Sequence, residues 1–133
     1  MSSYFIPTPK NREAFDADSI SRLVRRFYAR VQEDELLAPV FERRVESWDP
    51  HLERMIAFWT TVLRGEPAYR PGPKGPPPQV HRGIGELAIV HFTRWLALFE
   101  TVAHEVFPPD AARFVVARAE RMGRALSAHL EVA

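Results

Sequence analysis

The five histidines, His51, His81, His91, His104 and His129, include no pair at the HExxH or HxxxH spacing that puts two imidazoles on one helix face for a zinc ion. The chain has no cysteine, which removes thiolate ligands, cysteine nucleophiles and disulfides and fits a reducing compartment. A metal would have to sit on His, Asp or Glu. Taken singly, each histidine reads as solvated or at the edge of a core. His81 differs by its context. It follows a proline-rich stretch and precedes an aromatic-rich helical segment, so short structure positioned by the tertiary fold would hold its ring and could present it into a cavity.

Tyr28 lies among Val24, Phe27 and Val31 on an apolar face, where an unpartnered phenol would lose about 1–3 kcal/mol of hydrogen bonding. A backbone carbonyl or a water is the ordinary partner. Trp95 raises the same question, because an indole N–H only donates and normally finds an acceptor when buried. His51, near the start of another helix, points its ring toward the same interior as Met55. Each of these residues alone reads as core. Together, three polar tips from separate helices describe an apolar pocket with a few directed donors, the usual form of a small-ligand site.

The elements that must carry these residues follow from apolar spacing. Ile20, Leu23, Val24, Phe27, Tyr28 and Val31 recur at three and four, which predicts a helix that Asp16 or Asp18 can cap. A broken stretch through Leu36, Leu37, Pro39, Val40 and Phe41 bends the chain toward Trp48. Asp49 can then cap a helix beginning at Pro50, with Leu52, Met55, Ile56, Trp59 and Val62 on its inner face and Gly65 as its stop. Six prolines between residues 66 and 79 forbid regular helix there. A third long helix carries Ala88, Phe92, Trp95, Leu96, Phe99, Val102 and Val106. Pro108 and Pro109 break it, and a last helix follows with Asp110 in its first turn and Val115, Ala119, Met122, Leu126 and Leu130 inside. No strand pattern or internal repeat competes.

With 133 residues, 46% of them hydrophobic, the chain suits one compact domain and one site. Eighteen Lys and Arg against seventeen Asp and Glu give no reason to expect nucleic acid. Arg25, Arg26 and Arg30 are followed by Glu33, Asp34 and Glu35, so this charge run reads as a solvated helix face. No apolar run approaches membrane-spanning length and the N-terminus lacks a signal-like pattern. The expectation is a soluble, cytoplasmic protein.

The motifs FYARV (27–31), LLAPVF (36–41), WDPHLERMIAFWTTVLRGEPAY (48–69), HRGI (81–84), HFTRWLALF (91–99) and ARAERM (117–122) resemble those of group III truncated haemoglobins. The resemblance rests most on the spaced set Tyr28, Phe41, His51, Trp59, His81 and Trp95. It implies an all-α truncated globin fold, a two-over-two helical sandwich, over residues 18–133, with residues 1–17 as an N-terminal extension. It also implies haem b, iron protoporphyrin IX, with His81 as the protein ligand to the iron. Tyr28, His51 and Trp95 would line the distal side, Phe41 would pack on the macrocycle, and Met55, Phe58, Trp59 and Phe92 would complete the apolar wall. Arg54, and Arg82 or Lys74, could reach the propionates. His91 is the alternative ligand, at a position where the family carries an uncoordinated histidine. The connection before His81 is longer and richer in proline than the family's, and Gly83 and Gly85 weaken the segment carrying it.

These roles would make oxygen and nitric oxide the expected ligands. Two or three donors aimed at a ligand that gathers negative charge each add about 1–3 kcal/mol, and about 1.4 kcal/mol slows release tenfold. Slow release favours redox chemistry, nitric oxide dioxygenation or peroxide reduction with an electron-donor reductase, over oxygen delivery. The competing reading is a cofactor-free helical interaction or regulatory domain, in which the same aromatic residues are plain core.

Overall fold

The computed structural model describes residues 13–68 and 88–132, and side chains as far as residue 125. Helix α1, Ala17–Glu33, starts where its sequence supplies a cap. Asp16 accepts the Ser19 amide at 2.7 Å through its carboxylate, and the Asp16 amide donates to Ser19 Oγ at 3.1 Å, so two of the amides left over at a helix start are satisfied reciprocally. The Ser19 amide bond and the Ser19 hydroxyl are the main reasons the Asp16 carboxyl sits below its usual range. Every apolar position expected to face inward on α1 is buried: Ile20, Leu23, Val24, Phe27, Tyr28 and Val31.

Between Leu37 and Val45 the bend contains a short helix α2, Ala38–Arg44, with Pro39 in its first turn, where a missing amide costs no hydrogen bond. Helix α3 is Trp48–Arg64. It begins two residues before the expected Pro50, with Ser47 at the cap position and Asp49 inside the first turn. Proline fits there too, because none of the first four amides has an intrahelical acceptor. Gly65 stops α3 at φ 71°, its amide donating to Thr61 O at 2.9 Å. Helix α4, Ile89–Val106, and helix α5, Pro109–Val132, meet at the expected Pro108–Pro109 break. No strand occurs among the described residues.

Helix α1 packs against both α3 and α4, and α4 packs along α5. Gly123 marks a close approach of the last pair, because a methyl group there would stand 3.2 Å from Leu96 Cδ1. Trp59 and Leu63 of α3, Phe99, Val102 and Ala103 of α4, and Val115 and Ala119 of α5 join α1 in one core. Phe15, which falls in the expected extension, is fully buried. It packs edge-on to Phe107 at 5.3 Å and beside Phe114 at 5.7 Å, and its carbonyl accepts Arg64 Nη1 at 2.6 Å.

In the charge run at the end of α1, Arg25, Arg26, Glu33 and Glu35 are exposed as expected, and Asp34 is the departure. Asp34 is buried, and its carboxylate accepts the Leu36 and Leu37 amides and the Arg94 guanidinium of α4. Arg25 pairs with Glu53 of α3 at 3.1 Å, and Arg30 pairs with Glu105 of α4 at 2.6 Å. The basic face of α1 therefore has acidic partners on its neighbouring helices, at sequence separations that inspection of α1 alone does not reveal.

Candidate functional site

Tyr28 and His51 meet between α1 and α3. Tyr28 is one of the inward positions fixed by the spacing of α1, and its ring lies 5.0 Å from the His51 imidazole at 86°. Burial pushes the Tyr28 phenol well above its usual range, so the hydroxyl remains protonated and able to donate throughout ordinary pH. The His51 Nε2 atom is buried as well, although His51 stands in the first turn of α3.

Two further aromatic rings close on this pair. Phe41 of α2 lies 5.9 Å from Tyr28. Trp48 lies 6.0 Å from Tyr28 and 5.6 Å from His51, the latter contact at 87°. Trp48 was absent from the expected site set. The signal for it is its spacing, since residues three apart on a helix share a face, and His51 follows Trp48 by three.

Trp95 belongs to an adjoining aromatic cluster. Its ring lies 5.4 Å from Phe27, edge to face, and stacks on Phe99 at 5.2 Å. Phe99 stacks in turn on Trp59 at 4.9 Å. Phe27 also touches Tyr28 at 4.9 Å, so Trp95 is joined to the Tyr28–His51 pair through the phenyl ring of Phe27.

The inner faces of the helices differ in how far the polypeptide covers them. The apolar residues of α1 are buried, whereas Leu52, Met55, Ile56, Phe58 and Val62 of α3 are half-buried and pack at the edge of the core. Phe92 of α4 is buried and Trp95 half-buried. A band of incompletely covered apolar side chains beside buried donors is the composition of a small-molecule pocket. The donor set fits haem and a small ligand on it: phenol, imidazole and indole N–H or O–H groups, an apolar wall, and no acidic side chain among these residues. Arg54 is exposed on α3, as a propionate contact at the rim would require.

His91 has a role that disfavours iron ligation. The Ala88 amide donates to His91 Nδ1 at 3.0 Å, and the His91 amide donates to Ala88 O at 3.0 Å, bracing the start of α4. An imidazole whose Nδ1 accepts a hydrogen bond carries its proton on Nε2 when neutral, and that nitrogen then has no lone pair for a metal. His81, Arg82 and Lys74, the other residues expected on the proximal side, lie outside the described residues. A separate surface depression of about 270 Å³, lined by Asp16, Ala17, Ile20, Thr60, Arg64 and Glu66, contains none of the expected site residues.

Residues 15–125 match the bacterial-like globin family. The chain is 29% identical over 112 residues to the Group 3 truncated hemoglobin ctb of Campylobacter jejuni, covering 81% of this chain and 85% of that protein. The crystal structure of a group III truncated hemoglobin from Campylobacter jejuni superposes with a TM-score of 0.80 at 27% identity, over 87% of this chain and 91% of that one. The all-helical architecture is thus the truncated globin fold expected from the motifs.

Proposed function

The chain belongs to the bacterial-like globin family, and on that premise we propose that it binds haem b through His81 and holds small diatomic ligands, oxygen and nitric oxide among them, on the side lined by Tyr28, His51 and Trp95. The observation that carries this reading is the Tyr28–His51 contact, two hydrogen-bonding rings from separate helices 5.0 Å apart, beside the half-covered apolar face of α3. Phe41, Met55, Phe58 and Phe92 would pack on the macrocycle, and Arg54 would meet a propionate. When bound, haem supplies an iron atom that coordinates a diatomic ligand and shares electron density with it.

The protein's contribution is to place donors where that density collects. Tyr28 keeps its proton because its hydroxyl is desolvated. His51 and Trp95 add imidazole and indole N–H groups, and each bond to a ligand bearing partial charge adds about 1–3 kcal/mol. The surrounding apolar rings exclude water, which would otherwise compete for the same donors. Such a site retains its ligand, which suits nitric oxide dioxygenation or peroxide reduction with an electron-donating reductase better than oxygen delivery. Reconstitution with haemin followed by absorption spectra with oxygen, nitric oxide and cyanide tests the reading. A chain that takes up no haem would instead support a cofactor-free helical interaction domain.

A further inference from the structure

We propose that Trp48 is a positioning and specificity-determining residue of this site: its indole holds the His51 ring against Tyr28 and screens the path by which small neutral ligands pass His51. The inference rests on the haem reading above and extends it to a residue outside the expected distal set.

Three observations support it. The His51 imidazole meets two rings at nearly right angles, Tyr28 at 5.0 Å and 86° and Trp48 at 5.6 Å and 87°, an edge-to-face geometry that is attractive at these distances. Trp48 also reaches Tyr28 itself at 6.0 Å, so it touches both donors at once. Finally, the turn that carries Trp48 and His51 is weakly held by its backbone. Ser47 provides no side-chain cap, and the His51 amide reaches Ser47 O only at 3.4 Å. The two ring contacts therefore add to the positional constraint on His51. Trp48 is half-buried, so part of its surface stays accessible to solvent while its ring contacts His51.

The consequence is a division of labour. Tyr28 and His51 set how strongly a ligand is held. Trp48 sets how readily one arrives, and in how many orientations His51 meets it. Shortening Trp48 would widen the path beside His51 and free the imidazole to take more than one rotamer.

The test uses the full chain reconstituted with haem, with carbon monoxide as the probe, in the parent, Trp48→Ala, Trp48→Leu and Trp48→Phe proteins. Soret stoichiometry is measured first. Trp48→Ala and Trp48→Leu should raise the bimolecular association rate constant after flash photolysis by about tenfold and split the infrared C–O stretching band, which reports the donors facing the ligand. Trp48→Phe, which restores an aromatic edge, should return both toward the parent. Should Trp48→Ala not fold, Trp48→Leu against Trp48→Phe decides the matter alone. Parent-like association rates and a parent-like single band in the alanine and leucine proteins would overturn the role of Trp48. Absence of a stoichiometric Soret band in the parent would overturn the haem reading beneath it, and that is seen before any carbon monoxide is added.

Discussion

The Arg94 guanidinium crosses from α4 to the buried Asp34 carboxylate at 2.7 Å, one residue before Trp95 in the chain. Asp34 also accepts the Leu37 amide at 3.0 Å and the Leu36 amide at 3.2 Å, so one carboxylate turns the chain from α1 into α2 and fixes that corner to α4. Arg94→Ala should destabilise the fold by about 1–3 kcal/mol, because it leaves a buried carboxylate with fewer donors. Asp34→Ala should cost at least as much, since both amides lose their acceptor as well. Urea unfolding midpoints measure both effects, and values equal to the parent's would show that the pair contributes nothing.

Acid should weaken this corner. Desolvation pushes the Asp34 carboxyl upward, but Arg94 and the Leu37 and Leu36 amides outweigh it and hold the group below the ordinary aspartate value of 3.8. Its contribution to stability is then complete above 3.8 and is lost as pH falls through the lower folded-state value. Asp16, lowered chiefly by the Ser19 amide, acts in the same direction. Stability measured by urea unfolding should drop more steeply below pH 3.8 in the parent than in Asp34→Asn; equal slopes would place the acid sensitivity elsewhere.

Much of the scaffold was legible because its signals are local. The α1 face, the Asp16 cap, the Gly65 stop and the Pro108–Pro109 break each depend on residues within one turn of each other. Asp34 was misread for the opposite reason: its partner Arg94 lies 60 residues away, and a Glu-Asp-Glu run gives no sign that its middle member is buried. The start of α3 shifted from Pro50 to Trp48 because proline is accepted at several first-turn positions. That shift matters, since it puts Trp48 on the helix and on the face of His51. Tyr28, Phe41 and His51 were recognisable as a set from the family resemblance, whereas the ring geometry joining them depends on how α1, α2 and α3 pack.

The distal donors should govern ligand release. With haem bound, Tyr28→Phe and Trp95→Phe should each raise the oxygen dissociation rate constant, by about tenfold for a lost bond of ~1.4 kcal/mol. Stopped-flow displacement by carbon monoxide measures it. Unchanged rates in both proteins would remove the proposed donor set.

Gly65 ends α3 with φ at 71° and open space around the position where a Cβ would stand. Gly65→Ala should therefore lose about 1 kcal/mol from backbone strain alone, with Gly65→Asn losing less. Thermal unfolding distinguishes these variants. An alanine protein as stable as the parent would mean that the α3 terminus relaxes to another conformation.

The central claim, haem held by His81, is tested most directly by titrating the purified chain with haemin. The account predicts a Soret band that saturates at one haem per chain in the parent and in His91→Ala, and a weak or readily lost band in His81→Ala. A parent that raises no stoichiometric band, or retention lost in His91→Ala but kept in His81→Ala, would contradict it.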